Sequence, residues 1–170
     1  MPSTPALDEI DHLLLDLVQI DATQPLHELG DKVGLSPSAV QRRLTRLRRT
    51  GVIRAEVAVI DPQTVGLGLT TVAIVELMEN DDAQHAAFCA RLRKEPTAQQ
   101  CYSVLGQWDY VVVLVTVDLT AYREVSRKLF IEDETVRRYE SLLTYEQVKP
   151  GFKLPLPVPG SGHPGPSGRP

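Results

Sequence analysis

Apolar positions recur at helical spacing through the first third of the chain and at alternate positions after it. In residues 7–19, Ile10, Leu13, Leu14, Leu17 and Val18 form one stripe, with Asp11, Asp16 and Gln19 opposite. This spacing predicts an amphipathic helix. The sequence Asp21-Ala-Thr-Gln-Pro25 breaks the pattern. A short second helix follows, with Pro25 in its first position, Leu26, Leu29 and Val33 facing inward, and Gly34 as its stop. Ser36-Pro37 opens a third helix, with Ser36 as cap and Pro37 in the first turn. Its inner face is Val40, Leu44 and Leu47, and Gly51 ends it. Val52 to Ile60 alternates weakly and reads as a strand or wing. Asp61-Pro62 and Gly66-Leu-Gly68 mark a connection.

From residue 71 the period changes to two. Strands are predicted over Thr71–Met78, Gln99–Leu105, Tyr110–Val117 and Val136–Val148. Helices are predicted over Asp82–Lys94, burying Phe88 and Leu92, and over Leu119–Phe130, with Tyr122, Ser126 and Leu129 on one face. The order βαββαβ is a ferredoxin-like split unit. The expected fold class is therefore α+β: an N-terminal, winged helix-turn-helix joined to a ferredoxin-like domain. The expected organisation is a first domain over 1–60, a linker over 61–70, the βαββαβ domain over 71–149 and a flexible Pro/Gly-rich tail over 150–170. Strands as apolar as Val111–Val117 leave a second sheet face in need of cover, which a dimer stacking two sheets would supply.

Composition narrows the picture. Hydrophobic residues at 42% and charged residues at 24% exclude wholesale disorder. No leader-like segment and no apolar run of membrane-spanning length is found, so a cytoplasmic protein without a membrane partner is expected. Cys89 and Cys101 lack metal-ligand spacing and read as buried reduced thiols. No metal site or cofactor is expected.

The net charge of −4 hides an asymmetry. Before Ser36, the acids Asp8, Glu9, Asp11, Asp16, Asp21, Glu28 and Asp31 face only Lys32. From Ser36 to Arg54 there is no acid, and Arg42, Arg43, Arg46, Arg48, Arg49 and Arg54 stand there. A basic block on an acidic chain, carried by the last of three short helices, is the footprint of an element that enters the major groove of double-stranded DNA. Ser38, Arg42, Thr45 and Arg49 point most directly outward, flanked by Gln41 and Arg46. Arg can grip a guanine edge, Gln an adenine edge, and Ser or Thr either. Ser38, Gln41, Arg42 and Thr45 are the base-reading candidates; Arg48, Arg49 and Arg54 are expected on phosphates. Ser36 and Arg46 complete the expected DNA-binding set.

These segments together resemble the Lrp/AsnC (feast/famine) family of transcriptional regulators. The resemblance rests on Leu7-Asp8-Glu-Ile-Asp11, on Val33-Gly-Leu-Ser36-Pro-Ser-Ala-Val40-Gln-Arg42-Arg43-Leu44, and on Leu47, Gly51-Val-Ile53 and Asp61-Pro62 with Gly66. Cys101-Tyr-Ser-Val-Leu-Gly106-Gln-Trp-Asp109-Tyr110 matches the family's hairpin. The resemblance implies dimers paired through their sheets, rings of dimers up to an octamer, and an amino-acid effector bound between dimers near this hairpin. Carried over by motif, Gly106, Asp109 and Tyr110 mark the effector region, with Tyr102 and Leu105 nearby. A glycine amide can meet a carboxylate, and an Asp can meet an ammonium group. A second reading stands beside it, in which Gly106 serves only the turn and Asp109 only bonds backbone. Two departures are visible. Gln24 and Pro25 stand where the family often has a basic residue and a Ser or Thr. Trp108 is bulky for its hairpin position and could fill or reshape the pocket.

Three rivals remain. Sirohaem decarboxylases share this layout but need histidines near the second domain's pocket, and His12, His27, His85 and His163 are scattered. An RNA-binding βαββαβ module would place aromatic rings where Tyr110–Val117 has Val and Leu. A ligand sensor that does not bind DNA would leave the arginine block without a task.

Overall fold

The structure is a computed structural model and describes residues 6–78, 81–149, 151 and 153–157. The chain forms two compact units, one from residues up to Ala58 together with those from Lys149 onward, the other spanning Val59–Val148.

The first unit is built on α1 (Glu9–Val18), α2 (Leu26–Val33) and α3 (Pro37–Arg49). Asp8 caps α1 in a reciprocal box: its carboxylate accepts from the Asp11 amide, and the Asp11 carboxylate accepts from the Asp8 amide. Gln24 closes the other end of α1 by donating to the carbonyls of Leu17 (3.1 Å) and Asp21 (2.9 Å). This is the structural use of one departure from the family pattern. Pro25, expected inside α2, stands one residue earlier at its cap and offers no side-chain bond. Gly30 is buried where α2 meets the turn into α3. A Cβ there would sit 2.4 Å from the Leu35 carbonyl oxygen, so the position admits only glycine without backbone movement. Ser36 caps α3 by accepting from the Ala39 amide, as predicted. Leu14, Leu15, Leu29, Val40, Leu44 and Leu47 form the core.

The expected wing is absent. Residues 54–60 form no strand, and Val57, Val59 and Ile60 are exposed. A strand needs a ladder partner, and none stands beside this segment among the described residues. The tail also departs from expectation. Leu154 is bonded to Gln19, and Leu156 packs against the helical core. The remainder of the predicted flexible tail, residues 150, 152 and 158–170, lies outside the described residues.

The second unit carries β1 (Leu69–Leu77), α4 (Asp82–Lys94), β2 (Ala98–Ser103), β3 (Tyr110–Thr116), α5 (Leu119–Ser126) and β4 (Val136–Leu143). The antiparallel sheet runs β2-β3-β1-β4, the ferredoxin-like order. The predicted last helix splits: α5 ends at Ser126, and a π-helical turn, Arg127–Ile131, carries Leu129 and Phe130 into the core. β4 stops earlier than its alternation predicted. The amide and hydroxyl of Thr144 both bond the Thr70 carbonyl, at the start of β1, where the ladder has no further partner.

Alternation assigns each sheet face. Ala73, Val75, Leu77, Tyr110, Val112 and Leu114 point to the helices and pack on Phe88, Leu92, Tyr122, Leu129 and Phe130. On the opposite face the registers set Val72 beside Val113 and Leu142, and Ile74 beside Val111. These valines and Ile74 are only half-buried, and Leu142 is exposed. Cys89 is half-buried, but Cys101 lies on the edge strand β2 and is exposed, contrary to expectation. Both are free thiols.

Candidate functional site

The basic helix divides its arginines between two tasks. Arg43 donates to Asp8 (2.6 Å) and to Asp11 (2.9 Å), and Arg46 also pairs with Asp11. Asp11 is fully buried. Burial pushes its carboxyl upward, but hydrogen bonds from Arg46, the Asp8 amide and Arg43 outweigh this and hold it below the usual carboxylate range. The same contacts, Asp8 first, raise Arg43. Part of the charge asymmetry in the sequence is therefore internal: acids of α1 answer arginines of α3. Arg46, expected among the DNA contacts, is engaged on α1. Arg48, expected on phosphate, bonds Glu56 through Nε (3.0 Å) and Nη2 (2.7 Å). Both partners are exposed, so this pair is weak and easily exchanged.

Arg42, Arg49 and Arg54 are exposed and form no ion pair among the described residues. Ser38, Arg42, Thr45 and Arg49 lie on one helix face, opposite the core residues Val40, Leu44 and Leu47. Two turns separate Arg42 from Arg49, about 10 Å along the axis. Arg42, Thr45 and Arg49, with Asp8, Arg43 and Arg46, border an open surface groove of about 550 Å³. Gln41 donates to the Thr45 hydroxyl (3.3 Å), and the Ser36 and Ser38 hydroxyls are 3.1 Å apart. All four outward groups are exposed and able to exchange these bonds. The segment presents three cations without an ion pair among the described residues and four outward hydrogen-bonding side chains, and it holds no acid.

The hairpin between β2 and β3 is less open to a ligand than the motif implied. Tyr110 is a core residue: its ring packs on Phe88, and its hydroxyl meets His85 Nδ1 at 2.8 Å and Cys89 Sγ at 3.5 Å. Burial, then the Cys89 contact, pushes its phenol well above the usual range. Asp109 works on backbone. Its amide donates to the Val75 carbonyl, its carbonyl accepts from Val104, and its Oδ2 accepts from the Leu77 amide at 2.7 Å. The β1–β3 ladder ends at Val75 and Tyr110, and beyond it the Asp109 carboxylate takes the Leu77 amide that a further strand residue would have accepted. Leu105 is wholly exposed at the tip, and Tyr102 is exposed with its hydroxyl on Gln100. Gly106 has φ of 133°, a conformation that favours glycine, with open space around its Cβ direction. Gly106 thus meets a need of the turn.

Sequence reading missed two neighbours of this hairpin. The Arg138 guanidinium lies 4.4 Å from the Trp108 ring centroid, and Arg138 Nε donates to Glu76 at 2.5 Å. Trp108 therefore stacks on β4. His85 beneath Tyr110 was the other. Neither residue carries a local spacing signal, because both pairings cross the fold.

The histidines do not gather. His12 and His27 are on α1 and α2, His85 is on α4, and His163 lies outside the described residues. Among the described residues, no cluster of three or more His, Cys, Asp or Glu could hold a metal, and no helix is long and apolar enough to cross a membrane.

Comparison with known proteins bears on both units. Residues 7–48 match the AsnC-type helix-turn-helix domain, and residues 70–154 match the Lrp/AsnC ligand binding domain. An uncharacterized HTH-type transcriptional regulator of Sinorhizobium fredii is 34% identical, over 89% of this chain and 90% of its own. The glutamate uptake regulatory protein of Zymomonas mobilis is 32% identical, over 89% and 92%. The crystal structure of a transcriptional regulator from Neisseria meningitidis, in complex with L-Met, superimposes with a TM-score of 0.82 at 27% identity, covering 88% of this chain and 97% of that one. A helix-turn-helix whose third helix is basic, followed by a four-stranded ligand-binding fold matched along its length, makes this chain a DNA-binding transcriptional regulator of the Lrp/AsnC family.

Proposed function

We propose that the chain binds a two-fold symmetric DNA site, with α3 of each copy in a major groove, and that a small amino acid governs its assembly. The observation that carries the DNA reading is the row Ser38, Arg42, Thr45 and Arg49, which faces away from the core with both arginines unpaired among the described residues. Ser38, Gln41, Arg42 and Thr45 read bases; Arg49 and Arg54 take phosphates, and Arg48 joins them by leaving Glu56. Ser36 acts as the cap that orients the helix start, and Arg46 as part of the frame behind it.

The effector reading is supported by the ligand-binding family match and by the L-Met complex of the Neisseria relative. An amino-acid carboxylate would meet the exposed backbone at Gly106. Its ammonium group would use the Asp109 oxygen that does not hold Leu77. Tyr102 and Leu105 supply apolar contact, whereas Tyr110 supports the hairpin from the core. A second copy covers the half-buried sheet face around Val72, Ile74, Val111 and Val113, giving a homodimer, and dimers assemble further as a ring. Regulation requires the effector to bind one assembly better than another. The working compartment is the cytoplasm, where the DNA is.

The test is DNA binding by purified protein. Arg42→Ala costs about 1–3 kcal/mol and relaxes preference at one base step. Arg49→Ala weakens all sequences alike and flattens the salt dependence. Parent-like binding by both variants at moderate salt rejects this helix as the reader. Light scattering that finds a monomer at micromolar concentration rejects the sheet-to-sheet dimer. A thermal-shift screen in which no amino acid stabilises the protein rejects the effector class.

A further inference from the structure

Lys153–Pro157 follows the sensing domain in the chain, yet it belongs to the DNA-binding unit. Gln19, at the C-terminal cap of α1, holds it by both ends of its amide. Leu154 donates its amide proton to Gln19 Oε1 at 2.7 Å, and Gln19 Nε2 donates to the Leu154 carbonyl at 3.4 Å. A side-chain amide that gives to the carbonyl and takes from the N–H of one residue reproduces a rung of a sheet ladder. Two residues later, Leu156 packs against the core of Leu14, Leu15, Leu29, Val40, Leu44 and Leu47. Pro155 and Pro157 alternate with these leucines. Proline fixes φ near the extended value and carries no amide proton, so the segment loses little freedom on docking and leaves few donors to satisfy.

These contacts give the chain a second crossing. It leaves the DNA-binding unit after Ala58 and returns to it at Lys149. We propose that Lys153–Pro157 is a strap: a second tether, docked at the end of α1, that limits how far α3 can turn relative to the sensing domain. A body held by one flexible linker can sample many orientations, whereas a body held at two points samples few. Fully extended, the chain between Leu143, where β4 ends, and Leu154 reaches no further than about 40 Å. One amide pair and one leucine make a small contact, so the strap can release without unfolding the helices. It therefore couples the state of β4 to the orientation of the recognition helices. This inference rests on the DNA-binding reading for its consequence, and on the Gln19 and Leu156 contacts for its geometry.

The experiment compares the full chain with Leu156→Asp, with Gln19→Ala, and with a chain stopped after Lys149. Leu154→Ala is the control, because its side chain is exposed and its peptide unit is kept. Amide hydrogen exchange at residues 15–20 reads docking. Small-angle scattering without DNA reads the freedom of the units. Affinity for duplexes whose half-sites are in phase, or shifted by about 5 base pairs, reads the consequence. The three strap variants exchange faster at the end of α1, scatter as broader ensembles, and lose about tenfold of the in-phase preference while a single half-site is bound as before. The control matches the parent in all three. Unchanged exchange in the stopped chain overturns the docking. Faster exchange with unchanged scattering overturns the tether. If the parent binds no DNA, the DNA-binding reading fails, and exchange and scattering still decide whether the strap exists.

Discussion

The basic helix α3 and the hairpin between β2 and β3 are both short and rich in polar groups, and they dispose of those groups in opposite ways. α3 turns Arg43 and Arg46 inward to Asp8 and Asp11 and leaves Arg42, Thr45 and Arg49 facing solvent. The hairpin engages all three polar groups of Asp109 on its own sheet and sinks Tyr110 into the core. A helix satisfies its backbone internally, so its side chains are free for other tasks. A hairpin at the end of a ladder meets a backbone amide without a strand partner, and a carboxylate must serve it before it serves a ligand.

This contrast breaks first at Asp11. Asp11→Ala removes the buried acceptor of two guanidinium groups and half of the capping box, and costs about 2–4 kcal/mol in denaturant unfolding of the full chain. DNA affinity falls with it, because α3 loses its frame. The pH dependence has a definite sign. The folded-state carboxyl lies below its ordinary value, so its stabilising contribution is complete above about pH 4 and drains away as pH falls through the lowered value. Acid titration followed by far-ultraviolet circular dichroism shows this loss in the parent and not in Asp11→Asn.

The hairpin gives the next effect. Asp109→Ala orphans the Leu77 amide and costs about 1–3 kcal/mol of stability with DNA affinity per folded molecule unchanged. Asp109→Asn keeps an acceptor for Leu77 and loses the charge. It costs less stability than the alanine variant, but about 1.5–3 kcal/mol of affinity for an amino-acid effector. Thermal melts with and without ligand separate the two. Equal melts for Ala and Asn would mean that Asp109 holds no backbone. The smallest effect is Arg48→Ala. Its exposed pair with Glu56 contributes no more than about 1 kcal/mol, so melting barely changes, and a modest loss of DNA affinity at low salt would mark its exchange onto phosphate.

Much of this arrangement was legible in the sequence. Periodicity located the helices and strands, and the stripes Val40, Leu44, Leu47 and Ala73, Val75 are core. Ser36 and the αβ order were equally readable. Pairings that cross the fold were not. Nothing local assigns Arg46 to Asp11, Arg138 to Trp108, or Leu154 to Gln19, because each depends on which faces the finished fold brings together. The wing failed for the same reason: weak alternation at 52–60 describes a side-chain pattern, whereas a strand requires a neighbour. The hairpin motif located the turn between β2 and β3 but not the direction of each side chain. Tyr110 lies on the helix-facing side because its register partner on β1 is Val75, itself fully buried.

The central position of β1 also orders events during synthesis. β1 lies between β3 and β4, and β4 is the last strand made. Its pairing of Leu77 with Val136 must therefore wait until most of the chain has left the ribosome. The ion pairs that join α1 to α3, Asp8 with Arg43 and Asp11 with Arg46, each span only 35 residues, so the three helices can form well before then. For part of its synthesis, the nascent chain thus carries a finished basic helix ahead of a βαββαβ domain that has not yet closed.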